Sequence, residues 1–202
     1  MLQGSADLVA RWGKDDPAVR DGCIAAIQRQ TAYMHRMAEN LLFLTRGEGS
    51  RQALQLAEID LPALLEEVTE VRREIDPHHR YALDVPQSCM IHADETLLRQ
   101  LLLILMDNAA KYTPEGGDIR LCAALQEGTL ELEVRDMGCG VPEEQLERIF
   151  DRFYRVDKAR ARESGGAGLG LSIARTIVQL HRGTIRAENA HPGLRVRISM
   201  PA

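Results

Sequence analysis

Two short runs that alternate apolar and polar residues, Ile119 to Leu125 and Leu130 to Asp136, are joined by Gln126-Glu127-Gly128-Thr129. This junction constrains the fold more than any other feature of the 202-residue chain. Alternation at a period of two is the mark of a half-buried strand, and a link this short joins antiparallel neighbours, because a parallel pair needs a crossover of a dozen residues or more. A uniformly parallel sheet is therefore excluded. Further strands are expected near Tyr81 to Val85, Gly183 to Glu188 and Arg195 to Met200. Helices are expected over Leu61 to Ile75, Asp94 to Lys111, Glu143 to Phe150 and Leu169 to His181. The fold class that follows is an α+β two-layer sandwich, a mixed and largely antiparallel sheet backed by helices.

A different period governs the first quarter. From Cys23 to Thr45 the residues Ile24, Ile27, Thr31, Met34, Ala38, Leu41 and Thr45 recur at alternating steps of three and four, the seam of a coiled coil or helical hairpin. Leu2, Ser5, Val9 and Trp12 repeat that spacing, and Gly13-Lys14-Asp15-Asp16-Pro17 supplies a stop, a turn, an Asp N-cap and a Pro for the first helical position. A helical hairpin with a short first arm is expected over residues 1–48. After the polar linker Arg46 to Ser50, an α/β unit is expected over 49–202.

Charge and cysteine usage remove several function classes. A net charge of -5 argues against nucleic acid or an anionic membrane as the main partner, since either wants a basic face, while leaving room for local basic clusters. Cys23, Cys89, Cys122 and Cys139 are scattered without metal-ligand or disulfide spacing, which suits a reducing compartment. The longest purely apolar run, Leu101 to Met106, falls far short of the ~20 residues of a membrane helix. The chain is expected to be soluble as it stands.

Three segments carry candidate chemistry. Gly165, Gly166, Gly168 and Gly170 stand directly ahead of a helical apolar pattern at Ile173, Ile177 and Leu180, so amides at a helix start could meet a phosphate. The segment fails the P-loop test, with Leu171 where Lys is required, and fails the dinucleotide G-x-G-x-x-G test at the same residue. A mobile loop is the alternative. Asp136 follows Leu130, Leu132 and Val134 on the inward face of its strand, and an inward carboxylate needs a partner or a site. Gly138 and Gly140 would allow a flat ligand close to the backbone; an Asp capping a turn is the plainer reading. Finally, Asn108, Lys111 and Tyr112 emerge together at the end of an apolar helical stripe. An Asn oxygen suits Mg²⁺ and a Lys suits phosphate, although a Lys at a helix C-terminus also complements the dipole.

The segments DNAAKYTPEGG, DMGCGVP, IFDRFYRVDKAR and GGAGLGLSIARTIVQLHRGTI resemble the N, G1, F and G2 boxes of sensor histidine kinases, in that family's order and spacing. The resemblance runs from the hairpin ending NLLFLTR to the C-terminal VRISMP. It implies the Bergerat-type ATP-binding fold shared with gyrase, the Hsp90 chaperones and MutL, with ATP and Mg²⁺ as ligands. Carried over by position, it makes Asn108 the metal ligand, Lys111 a phosphate contact and Tyr112 a lining residue, and gives Asp136 the adenine amino group. Gly138 and Gly140 shape the base end. Phe150 and Phe153 would anchor a lid from about Asp151 to Ala167, with Tyr154 and Arg155 reaching the nucleotide, Arg155 at its phosphates. Gly166, Gly168, Leu169 and Gly170 would close over those phosphates. Lys111 and Arg155 are the residues expected to assist transfer.

Three departures qualify the match. Ile104 stands where the N box often has a second Asn and gyrase-type ATPases a catalytic Glu, which speaks against a dedicated ATP hydrolase. His181-Arg182-Gly183 replaces the usual His-Gly-Gly, a change expected to touch only a turn. The acceptor motif resembling His-Glu-Leu-Arg-Thr-Pro does not occur, and His35 lacks its acidic and Thr-Pro neighbours. The chain is thus expected to be a kinase core whose acceptor histidine lies outside it, so that it does not phosphorylate itself. A homodimer through the hairpin, a response-regulator receiver as partner, no nucleic acid, and membrane attachment only through segments outside the chain complete the expectation, that of a cytoplasmic domain of a bacterial inner-membrane sensor. The alternatives are a gyrase-like ATPase and a non-catalytic nucleotide-binding dimerisation module.

Overall fold

A computed structural model describes residues 17–49, 54–156 and 167–202. The chain divides into two compact units, Met1–Gly49 and Ser50–Ala202. In the first unit, helix α1 runs from Pro17 to Gly49. It begins at the Pro expected in its first turn, where a missing N–H costs nothing. Helix α1 leaves Val19, Ile24, Met34 and Leu42 exposed. The first arm of the expected hairpin lies outside the described residues.

The second unit begins with strand β1 (Ala57–Asp60) and helix α2 (Leu61–Ile75), followed by β2 (Arg80–Asp84) and β3 (Met90–Ala93). Helix α3 (Glu95–Tyr112), the hairpin β4 (Asp118–Gln126) and β5 (Thr129–Arg135), helix α4 (Gly170–Leu180), β6 (Thr184–Asn189) and β7 (Leu194–Pro201) complete it. Five strands form one sheet in the order β2-β4-β5-β7-β6, with β2 parallel to β4 and every other pair antiparallel. The β4–β5 connection is tighter than its sequence suggests. Gln126 pairs with Thr129, so only Glu127 and Gly128 form the loop, both at positive φ (50° and 77°). That is the mirror-image turn whose twist matches a hairpin.

Leu130, Leu132 and Val134 of β5 and Val196, Ile198 and Met200 of β7 are buried with the apolar faces of the helices. Burying each such side chain stabilises the fold by about 1.5–3 kcal/mol. Arg195 and Arg197, which alternate with the buried residues of β7, pair with Glu133 and Glu188. The sheet thus has one helix-covered face and one charged face, the expected two-layer sandwich.

The N-terminal ends of α2 and α3 are capped by aspartates. Asp60 Oδ1 accepts from the Ala63 N–H at 3.2 Å, and Asp94 Oδ1 from the Leu97 N–H at 3.1 Å. Each cap satisfies a donor that the helix itself cannot. The helix expected over Glu143 to Phe150 is instead two single 3₁₀ turns, Glu143–Gln145 and Arg148–Phe150. Eight residues behind Pro142 are too few to repay α-helix nucleation, and short turns suffice to bury Ile149 and Phe150. The pair β1–β3, a separate antiparallel ribbon, was not expected; its four-residue strands are too short to establish a period.

Candidate nucleotide site

Helix α3 sets the frame. Ile104, Asn108 and Lys111 lie at steps of four and three, while Leu101 and Leu105 on the adjoining stripe are fully buried. At one end of this row, Ile104 meets the start of α4: a Cβ at Gly170 would stand 3.4 Å from Ile104 Cγ2. At the other end, Tyr112 meets the loop after β5: a Cβ at Gly138 would stand 2.7 Å from the Tyr112 carbonyl oxygen. Gly138 therefore has no room for a side chain. The two contacts are eight residues apart, roughly 12 Å of helix, with Asn108 and Lys111 between them.

Asp136 is the first residue past β5 and is 5% exposed. Its Oδ1 accepts the N–H of Gly138 at 2.8 Å and that of Leu194 at 3.0 Å. The bond to Gly138 is the turn cap offered as the plainer reading of this residue, and it coexists with an inward carboxylate. Oδ2 receives no hydrogen bond from a described residue. Burial pushes the carboxyl up from its ordinary value, against the pull of the two N–H groups.

Asn108 is half-buried, one turn beyond Ile104. Its amide makes no hydrogen bond to a described residue, and the preceding Asp107 is paired with Arg72 of α2. Lys111 Nζ sits 5.3 Å from the Tyr112 ring centroid. Desolvation, then the charge of Arg155, holds the Lys111 ammonium below its ordinary value. Lys111 and Arg155 are thus brought to the same locality.

Beyond the 3₁₀ turns, the chain reaches Tyr154, whose hydroxyl donates to Gln145 Oε1 at 2.8 Å beneath the Arg148 guanidinium. Phe150 is buried under Arg175, whereas Phe153 is 54% exposed with φ at 62°. Burial therefore anchors Phe150 but not Phe153. The Phe153 N–H donates to the Gly168 carbonyl at 2.9 Å, fastening the two sides of the expected lid. Gly168 has φ at 71°, and a Cβ there would come within 3.0 Å of the Tyr154 oxygen, so glycine is required on both counts. Residues 157–166, Gly166 among them, lie outside the described residues. Leu169 is buried, and α4 starts at Gly170 without a capping side chain, which leaves its first-turn amides without a helical partner.

Two side chains, Asn189 beside the loop after β5 and His181 at the far end of α4, make contacts across the fold that the sequence did not signal. Asn189 hydrogen-bonds the backbone of Val141 beyond Gly140. His181, buried at the end of α4, receives the Asp94 N–H on Nε2 at 3.1 Å while Nδ1 stands 2.9 Å from the Ile177 carbonyl. A cleft of about 350 Å³ lies between Gly138–Pro142 and the β6–β7 turn; Asn108, Lys111 and Tyr112 do not line it.

The family described as histidine kinase-, DNA gyrase B- and HSP90-like ATPases matches residues 93–202. A signal transduction histidine-protein kinase, ArlS of Staphylococcus epidermidis, is 35% identical over 190 residues, which are 94% of this chain and 42% of that protein. The chain thus spans less than half the length of the curated relatives it matches. Among solved structures, the ShkA protein in complex with AMPPNP is 28% identical with a TM-score of 0.78, over 90% of this chain and 38% of that one. The Acinetobacter baumannii histidine kinase AdeS shares the fold, with a TM-score of 0.81 over 99% of this chain and 92% of that one at 22% identity. The boxes read from the sequence, the fold and these likenesses agree: the chain belongs to the histidine kinase-, DNA gyrase B- and HSP90-like ATPase family.

Proposed function

We propose that this chain is the kinase core of a two-component sensor that holds Mg-ATP along the exposed row of α3. The γ-phosphoryl group passes to a histidine on a dimerisation helix and then to an aspartate of a response regulator. The observation that carries this reading is the span of α3. It touches the loop after Asp136 at Tyr112 and the uncapped start of α4 at Ile104, with Asn108 and Lys111 between.

Each residue then has a chemical task. Asp136 accepts the adenine amino group on the oxygen that its backbone partners leave over, and Tyr112, Gly138 and Gly140 shape the base end. Lys111 and Arg155 neutralise phosphate charge, which is most of what phosphoryl transfer asks of a protein. The first-turn amides of α4 meet the same charge, with Gly168, Leu169 and Gly170 setting their position and Tyr154 steadying the segment that carries Arg155. Ile104 offers no base to activate water, so transfer is favoured over hydrolysis. The Asn108 amide oxygen suits Mg²⁺, an ion that takes few protein ligands and keeps phosphate and water oxygens. When bound, Mg²⁺ supplies charge neutralisation on the phosphate oxygens.

The acceptor histidine, a homodimer through the helical unit of residues 1–48, the response-regulator partner and any membrane anchor belong to the whole protein. Among the described residues, no helix is long and apolar enough to cross a membrane. The test is acid-labile labelling from γ-labelled ATP. The 202-residue chain should bind Mg-ATP without labelling itself, and a chain extended upstream through the acceptor helix should label on histidine. Strong self-labelling of the 202-residue chain, or sustained phosphate release without an acceptor, would contradict the proposal.

A further inference from the structure

The loop from Asp136 to Val141 is held at both ends by the turn between β6 and β7. At the near end, Leu194 donates its N–H to Asp136 Oδ1. At the far end, one side chain does the work of a strand. The Val141 N–H donates to Asn189 Oδ1 at 2.9 Å, and Asn189 Nδ2 donates back to the Val141 carbonyl at 2.7 Å. Nδ2 also donates to Glu143 Oε1 at 3.0 Å. The amide thus reproduces a reciprocal backbone pair where the loop has left the sheet.

Two further contacts tighten the arrangement. A Cβ at Gly140 would stand 2.7 Å from Asn189 Oδ1, and Gly140 has φ at 70°, so Asn189 in this position calls for glycine at 140. The turn itself is closed by the Ala190 N–H donating to the Gly193 carbonyl at 2.9 Å.

We propose that Asn189 is a positioning residue for base recognition. By pinning Val141 it fixes the path from Gly138 to Gly140, and with it the placement of the Asp136 carboxylate against the base. This inference rests on the reading that Asp136 accepts from the adenine amino group. It predicts an effect confined to the base, since among the described residues the Asn189 side chain hydrogen-bonds only Val141 and Glu143.

The test compares dissociation constants of Mg-ATP and Mg-ITP for the 202-residue chain and for Asn189→Ala and Asn189→Asp, with thermal melts to confirm folding. ITP carries a carbonyl in place of the adenine amino group. The wild type should prefer ATP by about tenfold or more, as sites built to pair a polar group do. Asn189→Ala should lose most of that preference, with ITP affinity held within about twofold of wild type, the limit of a lost packing contact. Asn189→Asp keeps the acceptor for the Val141 N–H and loses the donor, so it should fall between, and it serves if the alanine variant does not fold. Equal weakening of ATP and ITP, or no change in either, would overturn the role of Asn189. A wild type that does not distinguish the two nucleotides would overturn the reading of Asp136 itself, and this inference with it.

Discussion

Asp136 and Leu194 hold each other twice: the Asp136 N–H donates to the Leu194 carbonyl at 2.9 Å, and the Leu194 N–H donates to Asp136 Oδ1 at 3.0 Å. The reciprocal pair extends the β5–β7 ladder by one residue and uses a side chain to do it. A carboxylate is thereby fixed in a nearly water-free position with one oxygen still available.

That position has a cost that pH should reveal. Burial raises the Asp136 carboxyl above its ordinary value. The folded chain therefore holds this proton more tightly than the unfolded chain, so the residue removes stability as pH rises from the ordinary value near 3.9 through the raised one. Asp136→Asn should raise the melting temperature at pH 7 and gain little at pH 4, while weakening ATP binding by about tenfold or more. Calorimetric melts and titrations at the two pH values check both halves, and unaltered ATP affinity would contradict the assignment.

Lys111 offers a parallel test at the phosphate end. Desolvation and Arg155 lower its ammonium below the ordinary value. A lowered cation costs stability at pH values below its folded value, and that cost fades as pH rises through the lowered value towards about 10.4. Lys111→Met should therefore leave the pH 7 melting temperature unchanged or higher. Its affinity for ATP should fall about tenfold further than its affinity for AMP, because only the former presents distal phosphates. Equal losses for the two nucleotides would place Lys111 elsewhere.

Arg182, the middle residue of His181-Arg182-Gly183, has a φ of 60°, in the left-handed region that favours glycine. A side chain in the left-handed region costs roughly 1–2 kcal/mol, of which the flexibility of glycine in the unfolded chain takes back a part. Arg182→Gly should stabilise the chain by about 0.5–1 kcal/mol, whereas Arg182→Ala should not. Denaturant unfolding of both variants would decide, and an equal response would refute the strain.

Much of this was legible in the residues. The β4–β5 hairpin declared itself because alternation and a short polar link are local, although the turn proved two residues tighter than that link, and the inward Asp136 followed from the same period. The helices α2, α3 and α4 were expected within a residue of their observed bounds, whereas the aspartate caps of α2 and α3 emerged only from the structure. Other features depended on contacts distant in sequence. The role of Asn189 is visible only once the β6–β7 turn lies against the loop after β5, 48 residues earlier in the chain. His181 likewise has no local signal, since its partner is the backbone of Asp94, 87 residues away. The segment from Glu143 to Phe150 misled because one turn of helical spacing looks the same whether it closes as an α-helix or as a 3₁₀ turn.

The central claim is that the exposed row of α3 binds Mg-ATP, and Asn108 tests it most directly. Titration of the 202-residue chain with ATP, with and without Mg²⁺, should show tighter binding with the ion. In Asn108→Ala, ATP affinity should become nearly independent of Mg²⁺ in a chain that still melts cooperatively. Undiminished magnesium dependence in Asn108→Ala would contradict the account.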